Sequence, residues 1–317
     1  MFRGNFLSNL HRCSYYNQAS LLLKFSEPEP LKEVFYSLSG EMFENKVKLD
    51  FLNPFKNQYL YRIFGFGSIN GIFCLHEYDD LGKITLWNPA TQEIKLIPPS
   101  PVVESFIPDL SKDFVNLVCL SNLHGFGYDS VIDDYKVIRF VCFFCDINEP
   151  LEDIQTNVPL LGFWEMYSLR SNSWRNLNVD MPSSMYCMDE TQVYMDGVCH
   201  WLCGENCPAE LCMVSFYLSN EKFVITPIPL THTSLEEDDC STFKVSWINL
   251  VVLNGSIALI SFNEETTTFH ISILGELSFE ESWTKLFIVG PLSCVDRPIG
   301  LGTKGEIFFK RNDSELV

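Results

Sequence analysis

The sequence predicts an all-β fold, a β-propeller of about six four-stranded blades, on the basis of three observations. Short apolar runs alternate with clusters of Gly, Pro, Asn, Asp and Ser over residues 20–310. The aromatic content, 26 Phe, 12 Tyr and 6 Trp, favours pleated sheets over helices. Two sequence units recur at roughly 50–60 residues, which is the spacing of propeller blades. Helical periodicity is confined to a first turn or two near residues 6–11.

The first recurring unit is a turn glycine followed by an apolar strand. Its copies are SINGIFCL (68–75), YMDGVCHWL (194–202), VLNGSIALI (252–260) and GTKGEIFFK (302–310). The pairs Asn-Gly, Asp-Gly and Lys-Gly place glycine where a tight hairpin needs a positive φ. Gly71 and Gly197 take this place in the first two copies. We therefore expect each copy to begin a hairpin.

The second recurring unit is a strand, a polar turn and a second strand. Its copies are ITLWNPATQEIKLIP (84–98), EMYSLRSNSWRNLN (165–178), VSFYLSNEKFVITPIP (214–229) and HISILGELSFEESWTKL (270–286). In each copy an apolar residue returns on the second strand: Ile94, Trp174, Phe223 and Trp283. Tryptophans on the repeat strands (Trp87, Trp174, Trp201 and Trp283) are expected to pack in the core, whereas an exposed one would anchor an interface.

The net charge of the chain and the absence of targeting signals argue against several classes of function. A net charge of −19 and a pI near 4.6 argue against nucleic acid or an anionic membrane surface as the main partner. No apolar run approaches the ~20 residues of a membrane span, and the amino terminus lacks the apolar core of a secretory signal. The twelve cysteines are therefore expected to be reduced thiols in the cytoplasm or nucleus.

The strongest candidate for metal chemistry is the segment CHWLCGENCPAELC. It contains Cys199, His200, Cys203, Cys207 and Cys212. Their spacing overlaps with that of zinc ligands. In a strand, however, Cys199 and Cys203 would share one face while His200 lies on the other. We favour structural cysteines, and a zinc site stays open as the alternative.

Other catalytic patterns are weaker. The CFFC segment at 142–145 has redox-type spacing but lacks the helix that such a site needs. The glycine-rich segment at 65–71 lacks the lysine of a phosphate loop. No nucleophile elbow of the Gly-x-Ser-x-Gly type exists, and the histidines are scattered. The sequence therefore predicts no catalytic residue and no cofactor.

Five segments together resemble the F-box-associated interaction domain of plant F-box proteins, in the group that includes S-locus F-box and kelch-like sequences. They are GSINGIFCL, ITLWNPATQEIKLIPPSP, GFGYDSVIDDYKVIRF, YMDGVCHWL and CMVSFYLSNEKF, and they occur in the family's order over residues 19–310. The resemblance implies a kelch-like propeller that captures a protein substrate for an SCF-type ubiquitin ligase. It gives structural roles to a set of motif residues: Gly71, Trp87, Asn88, Pro89, Thr91, Gly197 and Trp201.

The sequence departs from the family pattern at both ends. Residues 1–19 are shorter than an F-box and are expected to be its remnant or the linker that follows it, with residues 20–317 forming the interaction domain. Binding to a Skp-type adaptor and a cullin would require an F-box. The last blade is expected to be incomplete, because the chain after residue 310 lacks the companion hairpin.

We expect a partner protein to bind the long, divergent loops at 99–114, 146–162 and 231–243. Acidic residues are the candidate contacts there: Glu104, Asp109, Glu149, Glu152, Asp153, Glu236, Glu237, Asp238 and Asp239. A simple solvated loop is the alternative interpretation of the run at 236–239. Three other functions stay open: a truncated receptor that competes for substrate or is non-functional, a kelch-like metal-dependent oxidase, and a carbohydrate-binding surface of aromatic residues.

Overall fold

The structure is a computed structural model of the 317-residue chain. The parts of the chain that it describes are residues 7–15, 18–28, 31–40, 44–49, 61–77, 83–105, 117–146, 157–179, 186–187, 192–204, 211–228, 245–263, 265–279, 282–292, 295–301 and 307–311. The regular structure there is strand, apart from short helical turns such as the one at 101–105. Within these ranges, no helix has the length and apolar character needed to cross a membrane.

The strands form successive antiparallel sheets, which we number as blades. Blade 1 consists of β1 (Leu7–Tyr15), β2 (Gln18–Pro28), β3 (Leu31–Ser39) and β4 (Asn45–Leu49). Blade 2 consists of β5 (Tyr61–Ile69), β6 (Ile72–Glu77), β7 (Ile84–Asn88) and β8 (Glu93–Leu96). Blade 3 consists of β9 (Leu117–Asp129), β10 (Asp134–Asp146), β11 (Asn157–Ser168) and β12 (Ser173–Leu177).

The carboxy-terminal half continues the same pattern. Blade 4 consists of β13 (Tyr186–Cys187) and β14 (Val193–Met195), which share the inner position, followed by β15 (Val198–Gly204), β16 (Leu211–Tyr217) and β17 (Lys222–Pro227). Blade 5 consists of β18 (Val245–Leu253), β19 (Ser256–Asn263), β20 (Thr268–Leu274) and β21 (Trp283–Val289). The last sheet pairs β22 (Val295–Leu301) with β23 (Ile307–Arg311).

The first strands of consecutive blades are neighbours, so the sheets are arranged around an axis as in a propeller. β5 contacts β1 and β9, and β14 contacts β9 and β18. β22 in turn contacts β1, which brings the last sheet beside the first. The predicted all-β propeller is confirmed. The expected count of about six four-stranded blades is corrected: five blades have four strands, and the last described sheet has two.

The amino-terminal segment differs from its sequence interpretation. β1 occupies Leu7–Tyr15, where the sequence favoured a helical turn near residues 6–11 and a linker before residue 20. It pairs with β2 from Leu7 to Tyr15 and forms one parallel bridge to β5, Arg12 with Gly67. Pairing with neighbouring strands overrides a weak local preference of this kind. The first sheet therefore begins at Leu7.

The Asn-Gly and Asp-Gly pairs form the predicted tight hairpins. In all three of these hairpins both central residues have a positive φ: Asn70 (49°) and Gly71 (83°), Asp196 (49°) and Gly197 (81°), and Asn254 (51°) and Gly255 (77°). Two successive positive φ angles define the turn that matches the twist of a two-residue hairpin. The local sequence thus determines where each first strand turns into the second.

The Asn-Pro turn is held by side-chain hydrogen bonds. Asn88 Oδ1 accepts from the backbone N–H of Ala90 at 2.9 Å and of Thr91 at 3.4 Å, and Thr91 Oγ1 donates to Glu93 at 2.8 Å. Gln92 closes the turn with a φ of 58°. A positive φ recurs at the corresponding place in the second and third copies, Asn172 and Glu221, and at the last residue of two turns outside these copies, Asp133 and Thr267. Three of the four sequence copies therefore share this turn geometry.

The core lies between adjacent blades. Trp87 is 1% exposed and packs against Phe35 of blade 1 at 5.1 Å between ring centroids and against Phe73 at 6.1 Å. Trp201 of blade 4 stacks on Trp164 of blade 3 at 6.1 Å. Trp174 and Trp283 are also buried. The four repeat tryptophans thus pack between or within blades.

We predict that Gly197→Ala lowers the free energy of unfolding by about 1–2 kcal/mol, because a Cβ disfavours positive φ. An added Cβ at Gly197 would meet no atom within 4 Å, so backbone strain is the cause that remains. The measurement is urea unfolding. Gly204→Ala is the matched control, since its nearest neighbour lies 3.8 Å from the added Cβ and its φ is ordinary. Equal losses at both sites would contradict the prediction.

Candidate functional site

The antiparallel order of the strands gives the propeller two different ends. The connections from first to second and from third to fourth strand share one end, which we call the turn end. The connections from second to third strand and from blade to blade share the opposite end, which we call the loop end. All four of the longest connections join strands at the loop end: 50–60, 97–116, 147–156 and 228–244. A binding surface built from long connections would therefore form there.

Three of these connections contain all nine acidic residues predicted to contact a partner. Glu104 is exposed and lies in the helical turn at 101–105. The other eight lie outside the described residues: Asp109, Glu149, Glu152, Asp153, Glu236, Glu237, Asp238 and Asp239. Their connections nevertheless join described strand ends at the loop end, β8 to β9, β10 to β11 and β17 to β18. Segments far apart in sequence are thus brought to one end of the molecule by topology.

The charge of the chain is unevenly distributed between its connections and its strands. Close to half of the 41 acidic residues lie in connections at the loop end. The basic residues in these connections are Lys56, Lys83, Lys112 and Lys244. A surface with this imbalance attracts a partner of positive charge and accelerates its association.

The first residues of the 97–116 connection are fixed to blade 3. The indole N–H of Trp174 donates to the carbonyl of Pro98 at 2.8 Å. The buried hydroxyl of Ser100 donates to Glu165 Oε2 at 2.5 Å, and Arg139 Nε donates to Glu165 Oε1 at 2.6 Å. Glu165 and Arg139 are charged and buried, and hydrogen bonds to charged groups are strong. The bond from Ser100 to Glu165 therefore fixes the direction in which the connection leaves blade 2.

The 228–244 connection begins in the same way between blades 4 and 5, two interfaces later. The indole N–H of Trp283 donates to the carbonyl of Pro227 at 3.0 Å. Thr226, which precedes it, accepts a hydrogen bond from the backbone N–H of Ser278 at 2.9 Å. A tryptophan on the outer strand of one blade therefore anchors the connection that leaves the preceding blade. This explains why tryptophan occupies the second strand in two of the four copies of the repeat.

Strand β10 buries two cations on opposite faces, and sequence reasoning missed both. Lys136 Nζ donates to Asp129 Oδ2 at 2.7 Å and to the carbonyl of Leu218 in blade 4 at 2.8 Å. The guanidinium of Arg139 lies 4.1 Å from the ring centroid of Trp174 on the blade 2 side. The available signal was the presence of Lys and Arg within the apolar run YKVIRFVCFF. Lys136 thus joins blade 3 to blade 4, whereas Arg139 pairs within blade 3 with Glu165, which also accepts a hydrogen bond from Ser100 after blade 2.

The cysteine-rich segment is divided between two faces of β15. Cys199, Trp201 and Cys203 pack in the core between blades 3 and 4, and Cys212 lies opposite Cys203 on β16. His200 points to the other face, with Nδ1 2.8 Å from Ser215 Oγ. Burial raises the pKa of the Cys199 thiol.

Cys207 lies outside the described residues. Within the described ranges, this segment included, no three His, Cys, Asp or Glu side chains are grouped so as to hold a metal ion. The alternating arrangement is the one that the strand pattern predicted, and it separates His200 from Cys199 and Cys203.

Two histidines are buried as neutral side chains. Burial lowers the pKa of His124 to about 4, although its hydrogen bond with the carbonyl of Asn122 opposes this shift. The ring of His124 packs edge-on against Trp164, with centroids 4.6 Å apart. Burial likewise lowers the pKa of His200 to about 4. Both side chains therefore contribute to the interior of the blade interfaces as uncharged groups.

A family model described as an F-box associated beta propeller domain matches residues 32–317. Curated relatives are plant proteins. The F-box protein CPR1 of Arabidopsis thaliana is 27% identical over 272 residues, covering 80% of this chain and 60% of that protein. An F-box/kelch-repeat protein of Arabidopsis thaliana is 23% identical over 236 residues, covering 74% of this chain and 54% of that protein. The chain thus spans roughly half to three fifths of the length of these relatives.

The solved structures that this chain matches have TM-scores below 0.5 and sequence identities below 10%. A chain from the crystal structure of the mitotic checkpoint complex has a TM-score of 0.42 and 8% identity, covering 98% of this chain and 88% of that chain. The polysaccharide lyase Uly1 has a TM-score of 0.45 and 8% identity, covering 89% of this chain and 57% of that chain.

We predict that Arg139→Met lowers the free energy of unfolding by about 3–5 kcal/mol, because it leaves the buried Glu165 carboxylate without its cation. The matched control is Arg175→Met, which breaks the ion pair with Glu221 at the surface, where Arg175 is 50% exposed. That change should cost less than about 1 kcal/mol. Denaturant unfolding of both variants measures the difference, and similar losses would contradict the prediction.

We also predict that stability falls as the pH drops below about 6.5, the usual pKa of histidine in an unfolded chain. The pKa values of His124 and His200 in the folded state are about 4. Between about pH 4 and pH 6.5 the unfolded state therefore binds more protons than the folded state. Each histidine should therefore cost on the order of 1–2 kcal/mol at pH 5 relative to pH 7.5. Unfolding of His124→Gln and His200→Gln at both pH values is the measurement. An unchanged pH difference in both variants would contradict it.

Proposed function

The chain belongs to the family of F-box associated beta propeller domains, and from this membership we propose that it is the substrate-recognition part of an F-box receptor, which captures a protein for ubiquitination by an SCF-type ligase. Support comes from the curated relatives, which are themselves F-box proteins. The observation that carries the proposal is the topology of the sheets, which collects the four longest connections at the loop end.

Recognition in this proposal is binding without chemistry on the partner. The blades provide a rigid frame, because their interfaces bury aromatic rings and paired charges. The connections at the loop end differ from one another in sequence and length, and such loops can change without disturbing that frame. Their acidic character selects a partner with a basic surface and accelerates its encounter. The ubiquitin transfer itself belongs to other subunits of the ligase.

In this proposal, an F-box would bind a Skp-type adaptor and, through the adaptor, a cullin. The propeller would then hold the captured protein at a fixed distance from the rest of the ligase. The same propeller without adaptor contact would bind the partner and withhold it from ubiquitination. A reconstituted ligase separates these roles, because the first produces adaptor-dependent ubiquitin chains on the partner and the second inhibits a full-length receptor.

The surface that binds the partner can be mapped by zero-length carbodiimide coupling. This reagent joins a carboxylate directly to a lysine, so it reports acidic residues that contact a basic partner. We expect coupled peptides from 97–116, 147–156 and 228–244 in a complex captured from plant extract. Coupling concentrated at turn-end carboxylates such as Glu44 and Glu276 would overturn the proposed surface.

We predict that neutralising Glu236, Glu237, Asp238 and Asp239 (to Gln and Asn) weakens partner binding about tenfold at low salt, since four favourable charges are lost. The effect should shrink at high salt because screening removes the same interactions. The matched control changes an equal number of turn-end residues to Gln: Glu41, Glu44, Glu276 and Glu280. Titration of the captured partner by calorimetry is the measurement, and equal weakening by the two variants would contradict the prediction.

A further inference from the structure

The hairpin between the first two strands of blade 3 has a longer turn than its counterparts. The corresponding turns of blades 2, 4 and 5 contain two residues each, an Asn-Gly or Asp-Gly pair. In blade 3, β9 ends at Asp129 and β10 begins at Asp134, so residues 130–133 form the turn. Its two central residues are Val131 and Ile132, which we call the turn knob. The turn knob lies at the turn end of the propeller.

Both side chains of the turn knob are in contact with solvent. Val131 is 76% exposed, the largest fraction of any large apolar side chain in the described part of the chain, and Ile132 is 42% exposed. The turns of blades 2 to 4 that surround the knob at this end are all among the described residues: 70–71, 89–92, 169–172, 196–197 and 218–221. These turns leave the knob uncovered.

The chemistry of the turn does not call for Val and Ile at these positions. Tight turns favour Gly, Pro, Asn, Asp and Ser, because these residues adopt the required dihedral angles or hydrogen-bond to the backbone. Val and Ile are β-branched and favour strands instead. In this turn they neither support the hairpin nor pack in the core. Single exposed apolar side chains are normal on a protein surface, whereas adjacent ones mark an interaction site.

Hydrogen bonds fix the backbone of the turn knob on both sides. The N–H of Val131 donates to Asp129 Oδ1 at 3.0 Å, and Arg170 Nη1 donates to the carbonyl of Ile132 at 2.7 Å. Asp129 Oδ2 in turn accepts from buried Lys136, which also donates to a carbonyl of blade 4. The knob is therefore preorganised, and a partner does not have to order this turn when it binds.

Tyrosine side chains adjoin the turn knob. The hydroxyl of Tyr128 donates to Asp133 Oδ1 at 2.6 Å, and its ring lies 4.9 Å from that of Tyr135 between centroids. The hydroxyl of Tyr194 in blade 4 donates to the carbonyl of Tyr128 at 2.7 Å. All three tyrosines are half-buried. Tyrosine is enriched among the residues that contribute most to protein interfaces.

The turns between the first and second strands of blades 2 to 5 have negative charge only. They contain the exposed carboxylates of Asp133 and Asp196, together with Asn70 and Asn254, and no Lys or Arg. Arg170 lies in a turn between third and fourth strands, and its guanidinium donates to the backbone of the knob. A positively charged segment is therefore attracted to these turns. A second copy of the chain, which has the same net charge of −19, is repelled.

These observations point to a second interface, and we infer that the turn knob binds a segment of a partner protein in which large apolar side chains adjoin Lys or Arg. The apolar side chains of that segment cover Val131 and Ile132, while its cations face Asp133 and Asp196. The surface lies at the end opposite to the proposed substrate surface, so both surfaces can be occupied at once. The inference goes beyond the proposed function and does not depend on the loop end.

The test uses three short synthetic peptides with a fluorescent label. One alternates Leu and Phe with Arg, the second replaces Arg by Glu, and the third replaces Leu and Phe by Ser. Fluorescence anisotropy of each peptide with the full chain measures affinity, and the third peptide reports binding by charge alone. We expect the first peptide to bind at least about tenfold more tightly than the other two, since it alone satisfies both requirements.

Variants locate the site. Val131→Ser combined with Ile132→Ser should weaken binding of the first peptide about tenfold, because two apolar contacts are lost. Ser suits a turn, and unfolding curves establish that the fold is retained. The matched control combines Leu96→Ser with Ile225→Ser, which changes two exposed apolar residues on outer strands (44% and 40%). The control should bind within about twofold of the original chain.

Methyl NMR spectra of the chain labelled at Val and Ile report the contact directly. The signals of Val131 and Ile132 are identified by their loss in the Ser variants, and the first peptide should shift both. Asp133→Asn combined with Asp196→Asn should weaken binding of this peptide at low salt, and the loss should shrink at high salt because screening removes the same attraction. Asn also tolerates the positive φ of both positions.

Four outcomes would overturn the inference. They are equal binding of the Arg and Glu peptides, equal effects of the two apolar double variants, binding that leaves the methyl signals of Val131 and Ile132 in place, and a dimer in sedimentation velocity that Val131→Ser with Ile132→Ser dissolves. The last result would assign the knob to a second copy of the chain.

Failure here is distinguishable from failure of the proposed function. Peptide binding at the knob should persist when residues 236–239 are neutralised, because these residues belong to the loop end. Partner capture that depends on the 236–239 carboxylates, without any peptide binding at Val131 and Ile132, would leave the receptor role standing and remove the second interface.

Discussion

The structure depends on burial between blades. A single four-stranded sheet has two faces to cover, and in this chain most of that coverage comes from the neighbouring blades. Polar groups on those faces must therefore find partners across an interface. Blade 3 shows this most clearly, since β10 directs Lys136 toward blade 4 and Arg139 toward blade 2. Blade order and blade spacing follow from these contacts.

The same contacts connect the core to the proposed binding surface. Arg139 donates to Glu165, Glu165 accepts a hydrogen bond from the hydroxyl of Ser100, and Ser100 lies near the start of the longest connection of the loop end. Trp174 and Trp283 repeat the principle, each donating to a proline carbonyl where the preceding blade ends. The interfaces between blades thus determine where the long connections of the loop end start. This division suits a receptor family, because the recognition surface can change while the frame is kept.

Blade 5 shows the consequence of incomplete coverage. Phe269 and Ile271 on its third strand are buried beside Phe309 of β23, whereas Phe287 on its outer strand is 45% exposed and Leu177 on the outer strand of blade 3 is 6% exposed. Apolar surface left exposed in this way favours association.

The sequence by itself determined the features that depend on local chemistry. The glycines at 71 and 197, the Asn88 turn and the alternation around Cys199 were readable because φ preference, side-chain capping and strand period act over a few residues. Features that depend on pairing between strands or on contacts between blades were decided by the tertiary structure alone. β1 became a strand through its pairing with β2, Arg139 met Glu165 on the adjacent strand β11, and Lys136 reached the carbonyl of Leu218 in blade 4. Such contacts join residues that no local pattern links, so only the arrangement of strands and blades reveals them.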